Sequence, residues 1–529
     1  MSSSNPTNVG PNAAAAKSPP AVPTTAASRT APEGQPATEA KTAGRQPATP
    51  DTNADQPQAR RRESFAHLQD FAEAGKPGTA SGAPPHPTQV AREAVAPATP
   101  IRTRKRPPVF RPRQPTSLRE AGLTDQQMES LILKVLLLEG PQTGRDISKR
   151  LSLPFGLIEI QLKTMKLEQL LTYGKASIAS DFTYELTPRG DERARSYNGI
   201  SSYCDAAPVP LEEYVQSVDA QSIRKQQPCI DDVKRVFQSL ELSSRMLHQI
   251  GEAVNLGKGC FLYGPPGNGK TTIASMLTNV FDSGIWIPRA ISVAGEIVRI
   301  FDQVKHEPIE SEASISSIVL DDIDERWVYI KRPTITAGGE LKLEQLEVTT
   351  NNITGTNEAP LQIKANCGTL LIDDFGRQQF DVADLLNRLI VPLESYRDVV
   401  QLPSGRSCEV PFDMMVVFST NMQPQDLVDE AFLRRVPISI ETSNPTEDQF
   451  RNLFQTEAEA YGLQCSTEAI DHLINVHYQP EKRPFRFCQP RDILEKVSNA
   501  CDFNQKPPVV TKGNIDAAIE SCLAIQLAK

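Results

Sequence analysis

Gly259–Phe281 reads GCFLYGPPGNGKTTIASMLTNVF. Four apolar residues, Cys260 to Tyr263, lead into a glycine-rich turn, and a helical pattern runs on from Lys270. The spacing is G-x-x-x-x-G-K-[ST] in the strand–turn–helix context that the motif requires. Glycines let backbone N–H groups approach an anion, and the helix N-terminus adds about half a positive charge. Gly264, Pro265, Pro266, Gly267, Asn268, Gly269, Lys270, Thr271 and Thr272 are therefore the expected cradle for the phosphates of ATP. Lys270 would reach the β- and γ-phosphates, and the Thr271 hydroxyl would ligate Mg²⁺.

Such a loop needs an acid on a neighbouring strand to hold the metal. Thr369–Asp374, TLLIDD, supplies four strand residues ending in two carboxylates. Asp373 is expected to hold Mg²⁺ through its water shell, and Asp374 to orient and polarise the attacking water. Paired acids at a strand end are costly unless a cation is shared. Val319-Leu320-Asp321-Asp322 is a second such string, but it follows the loop helix too closely and ranks behind. A third run, Met415–Asn421 (MVVFSTN), ends in Asn421, which is placed to bond both the γ-phosphate and the lytic water.

Outward from these motifs, Cys260–Tyr263, Ile285–Ile287, Ile318–Leu320, Leu370–Ile372 and Met414–Phe418 are short β-rich runs separated by helical patterns. That alternation predicts an α/β core with a parallel sheet covered on both faces. From Asn444 the 3.6-residue period takes over: Glu447–Tyr461, Thr467–His477, Gln489–Phe503 and Gly513–Leu527 read as a helical domain. Upstream, Thr124 with Gln127 opens a capped helix carrying Met128, Leu131, Ile132, Val135 and Leu138. Gly144–Leu151 and Pro154–Leu171 follow as helices, then two short strand patterns, Ala176–Ile178 and Phe182–Leu186. Three helices and a ribbon resemble a winged helix-turn-helix. Its third helix balances Lys163 and Lys166 against Glu159 and Glu168, leaving protein docking and DNA binding both open.

The first 115 residues differ in kind. They hold 20 of the 43 prolines and almost no apolar periodicity, so they are expected to be disordered. They carry 15 Lys and Arg against 8 Asp and Glu; with the whole chain at −9, the remainder is −16. An acidic body argues against a protein that coats nucleic acid, although the basic run Arg102–Arg113 could still touch it. Within the tail, Glu63–Glu73 shows one weak helical face. Nine cysteines occur singly with no C-x-x-C pair, which indicates neither a disulfide framework nor a cysteine zinc site. No run of about 18 apolar residues and no signal-peptide pattern is present, so a soluble cytoplasmic protein without membrane contact is expected.

With a helical segment behind them, the three motifs in this order resemble the AAA+ ATPases, from roughly Leu211 to the C-terminus. Leu370–Gln378 (LLIDDFGRQ) and Asp429–Arg435 (DEAFLRR) are similar to strings of a bacterial group of AAA+ ATPases with chaperone-like activity. The resemblance implies a homo-hexameric ring with ATP between subunits and Asn421 as sensor 1. It implies an arginine finger at Arg434 or Arg435, without choosing between them. It also implies that Arg491, in Gln489–Ile493 (QPRDI), meets the γ-phosphate in cis as sensor 2. Asp398–Val410, with a turn at Ser404-Gly405, reads as a hairpin resembling the pre-sensor-1 hairpin of MoxR-like and enhancer-binding ATPases.

Two departures stand out. Asp374 replaces the usual glutamate, placing its carboxylate about one methylene farther from the water. Pro288–Gly295 (PRAISVAG), read as the loop after the second strand, lacks the aromatic–hydrophobic–Gly signature that grips threaded polypeptide. A further insertion, Val328–Ile363, is either a substrate-contacting flap or a sheet extension.

The expected organisation is a tail (1–115), a winged-helix domain (116–200), a linker (201–227), an AAA+ core (228–442) and a helical lid (443–529). The expected activity is ATP-driven remodelling of a protein or protein–nucleic-acid client. The alternatives are a DNA-associated switch, loader or regulator, and a nucleotide-binding scaffold that does not hydrolyse.

Overall fold

The computed structural model describes residues 110–176, 181–281, 283–309 and 323–523. The expectations for residues 1–109, for Ile318–Leu320 and for Asp321-Asp322 lie outside the described residues, as do those for residues 177–178 and the end of the last helix.

Five strands make the central sheet: β1 (Cys260–Tyr263), β2 (Thr334–Ala337), β3 (Thr369–Ile372), β4 (Met415–Thr420) and β5 (Ile438–Glu441). The order is β2-β3-β4-β1-β5, and every pair is parallel. β3 and β4 are buried along their whole length, which is why Leu370–Ile372 and Met415–Phe418 read as apolar runs. Alternate residues serve opposite faces. Leu370, Ile372, Val416 and Phe418 join Phe261, Leu389 and Phe432 on one side. Leu371, Met415 and Val417 join Leu262, Ile250 and Ile273 on the other. A one-residue slip would exchange the two sets, so burial pins the register. The buried hydroxyls of Thr369 and Thr278 meet at 2.8 Å, satisfying each other at the foot of β3.

The second strand differs from the sequence reading. Ile285–Pro288 is not in the central sheet but pairs antiparallel with Trp327–Ile330. Its other edge is taken by Gln221, whose amide donates to the Trp286 carbonyl at 2.9 Å and accepts from the Trp286 N–H at 2.6 Å. The position falls instead to Thr334–Ala337, inside the stretch read as an insertion, and that stretch therefore extends the sheet. The loop after the second strand begins at Gly338, not Pro288, so the missing aromatic–hydrophobic–Gly signature of Pro288–Gly295 says nothing about that loop. That segment runs from the end of one strand through Ala290–Val293 to a turn at Ala294-Gly295, and Ala290–Val293 pairs there with Glu296–Arg299 in a second five-stranded sheet.

Residues 201–227, read as a linker, carry a short strand, Val209–Pro210, paired with Ala290–Val293, and a helix, Leu211–Ala220. Tyr203, Ala207, Val209, Tyr214, Val218 and Ile223 are all buried there. The predicted hairpin is present as Arg397–Gln401 against Ser407–Pro411, with Gly405 at φ +80° in its turn. Val400, Leu402 and Val410 pack it onto the second sheet, and Arg406 donates to the Ala294 carbonyl at 2.8 Å.

Near the N-terminus, helices Asp125–Glu139, Gly144–Leu151 and Phe155–Leu167 pack with a three-stranded antiparallel sheet, Gln142–Thr143, Phe182–Leu186 and Leu171–Ala176. Thr124 and Thr143 both make capping boxes. Leu138, expected on the apolar face, is exposed. At the C-terminal end, Phe450, Phe454, Leu473, Leu494, Val497 and Ile515 form one core among the helices between Glu447 and Leu523. No helix among the described residues is long and apolar enough to cross a membrane.

Candidate nucleotide site

The site forms where β1, β3 and β4 end on the same edge of the sheet, because parallel strands deliver all their C-terminal ends to one side. Gly264 adopts φ +140°, and a Cβ there would stand 2.5 Å from the Thr442 carbonyl oxygen, so the turn admits only glycine. The Lys270–Met276 helix starts directly behind the loop. Lys270 is 8% exposed; its ammonium donates to the Gly264 carbonyl at 2.9 Å, the Pro265 carbonyl at 3.0 Å and Asn421 Oδ1 at 2.7 Å. Burial draws this amine below its ordinary value, Asp373 and Asp374 oppose that, and Arg486 adds to the lowering.

Thr271 Oγ1 donates to Asp373 Oδ2 at 2.8 Å, bringing together the two groups expected at the metal. The Asp373 N–H donates to the Ala337 carbonyl on β2, and the Phe375 N–H to the Ser419 carbonyl on β4, each at 2.8 Å. Asp374 is exposed, with φ +48°, a left-handed conformation that Asp tolerates better than most residues. Gln378 donates to the carbonyls of Asp373 and Asp374, tying the end of LLIDDFGRQ back onto the strand end. Pro266 and Thr272 are exposed, while Asn268 is buried.

Asn268 also reaches out of the loop. Its amide donates to Asn444 Oδ1 at 2.8 Å, and the Cys488 N–H donates to the Gly267 carbonyl at 2.9 Å. The helical C-terminal segment thus rests on the glycine-rich loop at Arg486–Cys488. Arg486 is the arginine that acts electrostatically on Lys270 and lies beside Gly267. Arg491 sits on the first turn of the Gln489–Phe503 helix, exposed and with no ion-pair partner among the described residues. Arg486, Asn444 and Cys488 were missed in the sequence, where the only signal was a basic residue just ahead of a helix start.

Arg434 and Arg435 follow the short Glu430–Leu433 helix and behave differently. Arg434 is 76% exposed and, among the described residues, pairs only with Glu430, four residues back, at 2.8 Å. Arg435 is 28% exposed, donating to Glu394 at 2.9 Å and to the Ala431 carbonyl at 2.7 Å. A cavity of about 540 Å³ lined by Cys229, His248, Asn255, Pro437 and Ile438 lies away from this chemistry, level with the start of β1 and β5.

A family model described as a domain of unknown function (DUF8689) matches residues 446–521. No curated protein matches the chain. Among solved structures, the chain is similar to NtrX from Brucella abortus at 14% identity and TM-score 0.34, over 53% of this chain and 56% of that one. The ADP complex of the same protein aligns at 13% identity and TM-score 0.33, over 53% and 56%. The RuvB Holliday junction branch migration motor from Thermotoga maritima aligns at 12% identity and TM-score 0.30, over 56% and 73%. The chain thus spans just over half the length of NtrX. Likenesses this weak carry no argument about activity, which rests on the site itself.

Proposed function

We propose that this protein is an ATP-hydrolysing AAA+ remodelling enzyme that works as a ring of identical subunits on a protein client. The observation that carries the reading is the 2.8 Å contact between Thr271 and Asp373, two groups 102 residues apart that meet beside the glycine-rich loop. The donor set fits Mg²⁺: a hydroxyl and a carboxylate are hard oxygen ligands that leave room for water and phosphate oxygens. Bound there, the ion would neutralise charge developing on the transferred phosphoryl group.

The chain's own residues do the rest. Lys270 exchanges its two carbonyl contacts for phosphate oxygens. Asn421 holds that amine and faces the position of the attacking water. Asp374 orients the water. Arg434, exposed and paired among the described residues only with Glu430 four residues back, is the better choice for the finger entering a neighbour's site. In this reading Arg486 joins Arg491 as a cis contact to phosphate, and the helices after Thr446 act as the lid.

The N-terminal helices and antiparallel sheet have the element order of a winged helix. Protein docking is favoured there over DNA: Lys163 is paired with Glu159 at 2.7 Å and Lys166 lies over the Tyr173 ring, while Ile160 and Leu167 are exposed. Steady-state phosphate release from Lys270→Ala tests the site. Turnover should fall to background with the fold retained by circular dichroism, and wild-type turnover in that variant refutes the assignment.

A further inference from the structure

Away from the nucleotide site, the helical C-terminal segment gathers three metal-ligating side chains. His472 Nε2 lies 2.8 Å and His477 Nε2 2.6 Å from the same oxygen, Oδ1 of Asp516. The three ligand atoms lie within 4.8 Å of one another. We infer that His472, His477 and Asp516 form a binding site for a divalent first-row transition metal, with zinc as its natural occupant.

The local backbone is what allows the cluster. The two histidines lie five positions apart, and in a regular α-helix they would point about 140° apart, at roughly 100° per residue. Here Leu473–Tyr478 is π-helical, and the Gln479 N–H donates to the Ile474 carbonyl five residues back at 2.9 Å. A π-turn widens the helix so that residues five apart share a face, and such turns concentrate at functional positions. Leu473, Ile474 and Tyr478 anchor it in the core. Asp516 comes from the Lys512–Leu523 helix, so the three donors join two separate elements.

Geometry and donor chemistry agree. Zinc stands about 2.0–2.2 Å from imidazole nitrogen and carboxylate oxygen, which sets tetrahedral ligand atoms about 3.3 Å apart. The two present contacts would open by about 0.5–0.7 Å, a side-chain adjustment rather than a backbone one. The two rings are nearly perpendicular, at 81°, with centroids 5.9 Å apart, so their Nε2 atoms converge without stacking. The hydrogen bonds to Asp516 place a proton on each Nε2; metal binding moves it to Nδ1 or to solvent and turns Nε2 into a lone-pair donor. The histidines are 19% and 20% exposed and Asp516 is 48% exposed, which leaves the fourth position open to water. Two imidazoles and one carboxylate select zinc over magnesium, calcium or manganese.

The test uses full-length, tag-free, nucleotide-free protein stripped with a chelator and titrated with zinc alone. One zinc per chain is expected, with a rise in melting temperature, and cobalt substitution should give the visible absorption of a four-coordinate ion. His477→Gln keeps an N–H for Asp516 and so preserves the clasp without the ligand. It and Asp516→Asn should each weaken zinc binding at least about tenfold, the loss that even outer-shell partners produce. His248→Gln, far away in sequence and outside the cluster, should bind as wild type. Magnesium and manganese should not compete. Absence of stoichiometric zinc, or unchanged affinity in His477→Gln with its helicity intact, overturns the assignment.

Discussion

Asn421 ties the end of β4 to the lysine of the glycine-rich loop through a 2.7 Å contact. Lys270 keeps two carbonyl partners without it, so Asn421→Ala should still bind ATP. Turnover should fall by about 10²-fold, the usual loss when one preorganised polar group is removed from a transition state. Phosphate release measured beside the affinity for a fluorescent ATP analogue separates the two, and lost binding would make Asn421 structural. Most of this site was legible because its chemistry is local: Gly264–Thr271 and Thr369–Asp374 each carry strand, turn and reactive group within a few residues. Arg486 was illegible for the opposite reason. It reaches the loop only because Asn268, Asn444 and Cys488 bring a distant segment onto Gly267, and no spacing in the chain encodes that approach.

The Glu430–Leu433 helix sets two adjacent arginines in different surroundings, and that difference can be measured. Arg434→Ala should abolish turnover with no change in melting temperature, because an exposed i,i+4 pair contributes almost nothing to stability. Arg435→Ala should lower stability by under about 1 kcal/mol through its contact with Glu394 and leave turnover largely intact. The reverse pattern would exchange their roles. Strands were legible in proportion to their burial. β3 and β4 are enclosed on both faces and announce themselves as TLLI and MVVFST. β2 (TITA) and β5 (ISIE) lie at the sheet edges and alternate with polar residues, so TITA reads as β-rich without declaring its place in the central sheet and ISIE gives no strand signal. Ile285–Pro288 is the more apolar string, yet Gln221 and Trp327–Ile330 already occupy both its edges.

For the molecule as a whole, the decisive polar feature is Arg326. It is 1% exposed and binds Asp324, while its guanidinium also donates to the carbonyls of Ala121 at 2.7 Å and Pro208 at 3.1 Å. One side chain therefore links the N-terminal helical region, the 201–227 segment and the Asp324–Arg326 turn that leads into Trp327–Ile330. Arg326→Met strands the Asp324 carboxylate and should cost about 3–5 kcal/mol in urea unfolding, because a buried charge loses its partner. Acid should weaken the fold through His306, which is 2% exposed and held to the Lys364 carbonyl at 3.0 Å. Burial lowers its affinity for a proton in the native state. The unfolded chain, with an imidazole near 6.5, takes up the proton first. Its contribution is therefore complete above about pH 6.5 and declines as pH falls toward the native value. Denaturant unfolding at pH 7 and pH 5 measures that slope, which His306→Gln should reduce. The sheet topology also bears on synthesis. β1 is flanked in the finished sheet by β4 and β5, and Ile438, the partner of Cys260, is made 178 residues after it. At about 5–20 residues per second, the ribosome leaves this apolar strand with at least one edge open for roughly 10–35 s. In the growing chain, Cys260–Tyr263 is thus a segment in need of shelter from a holding factor.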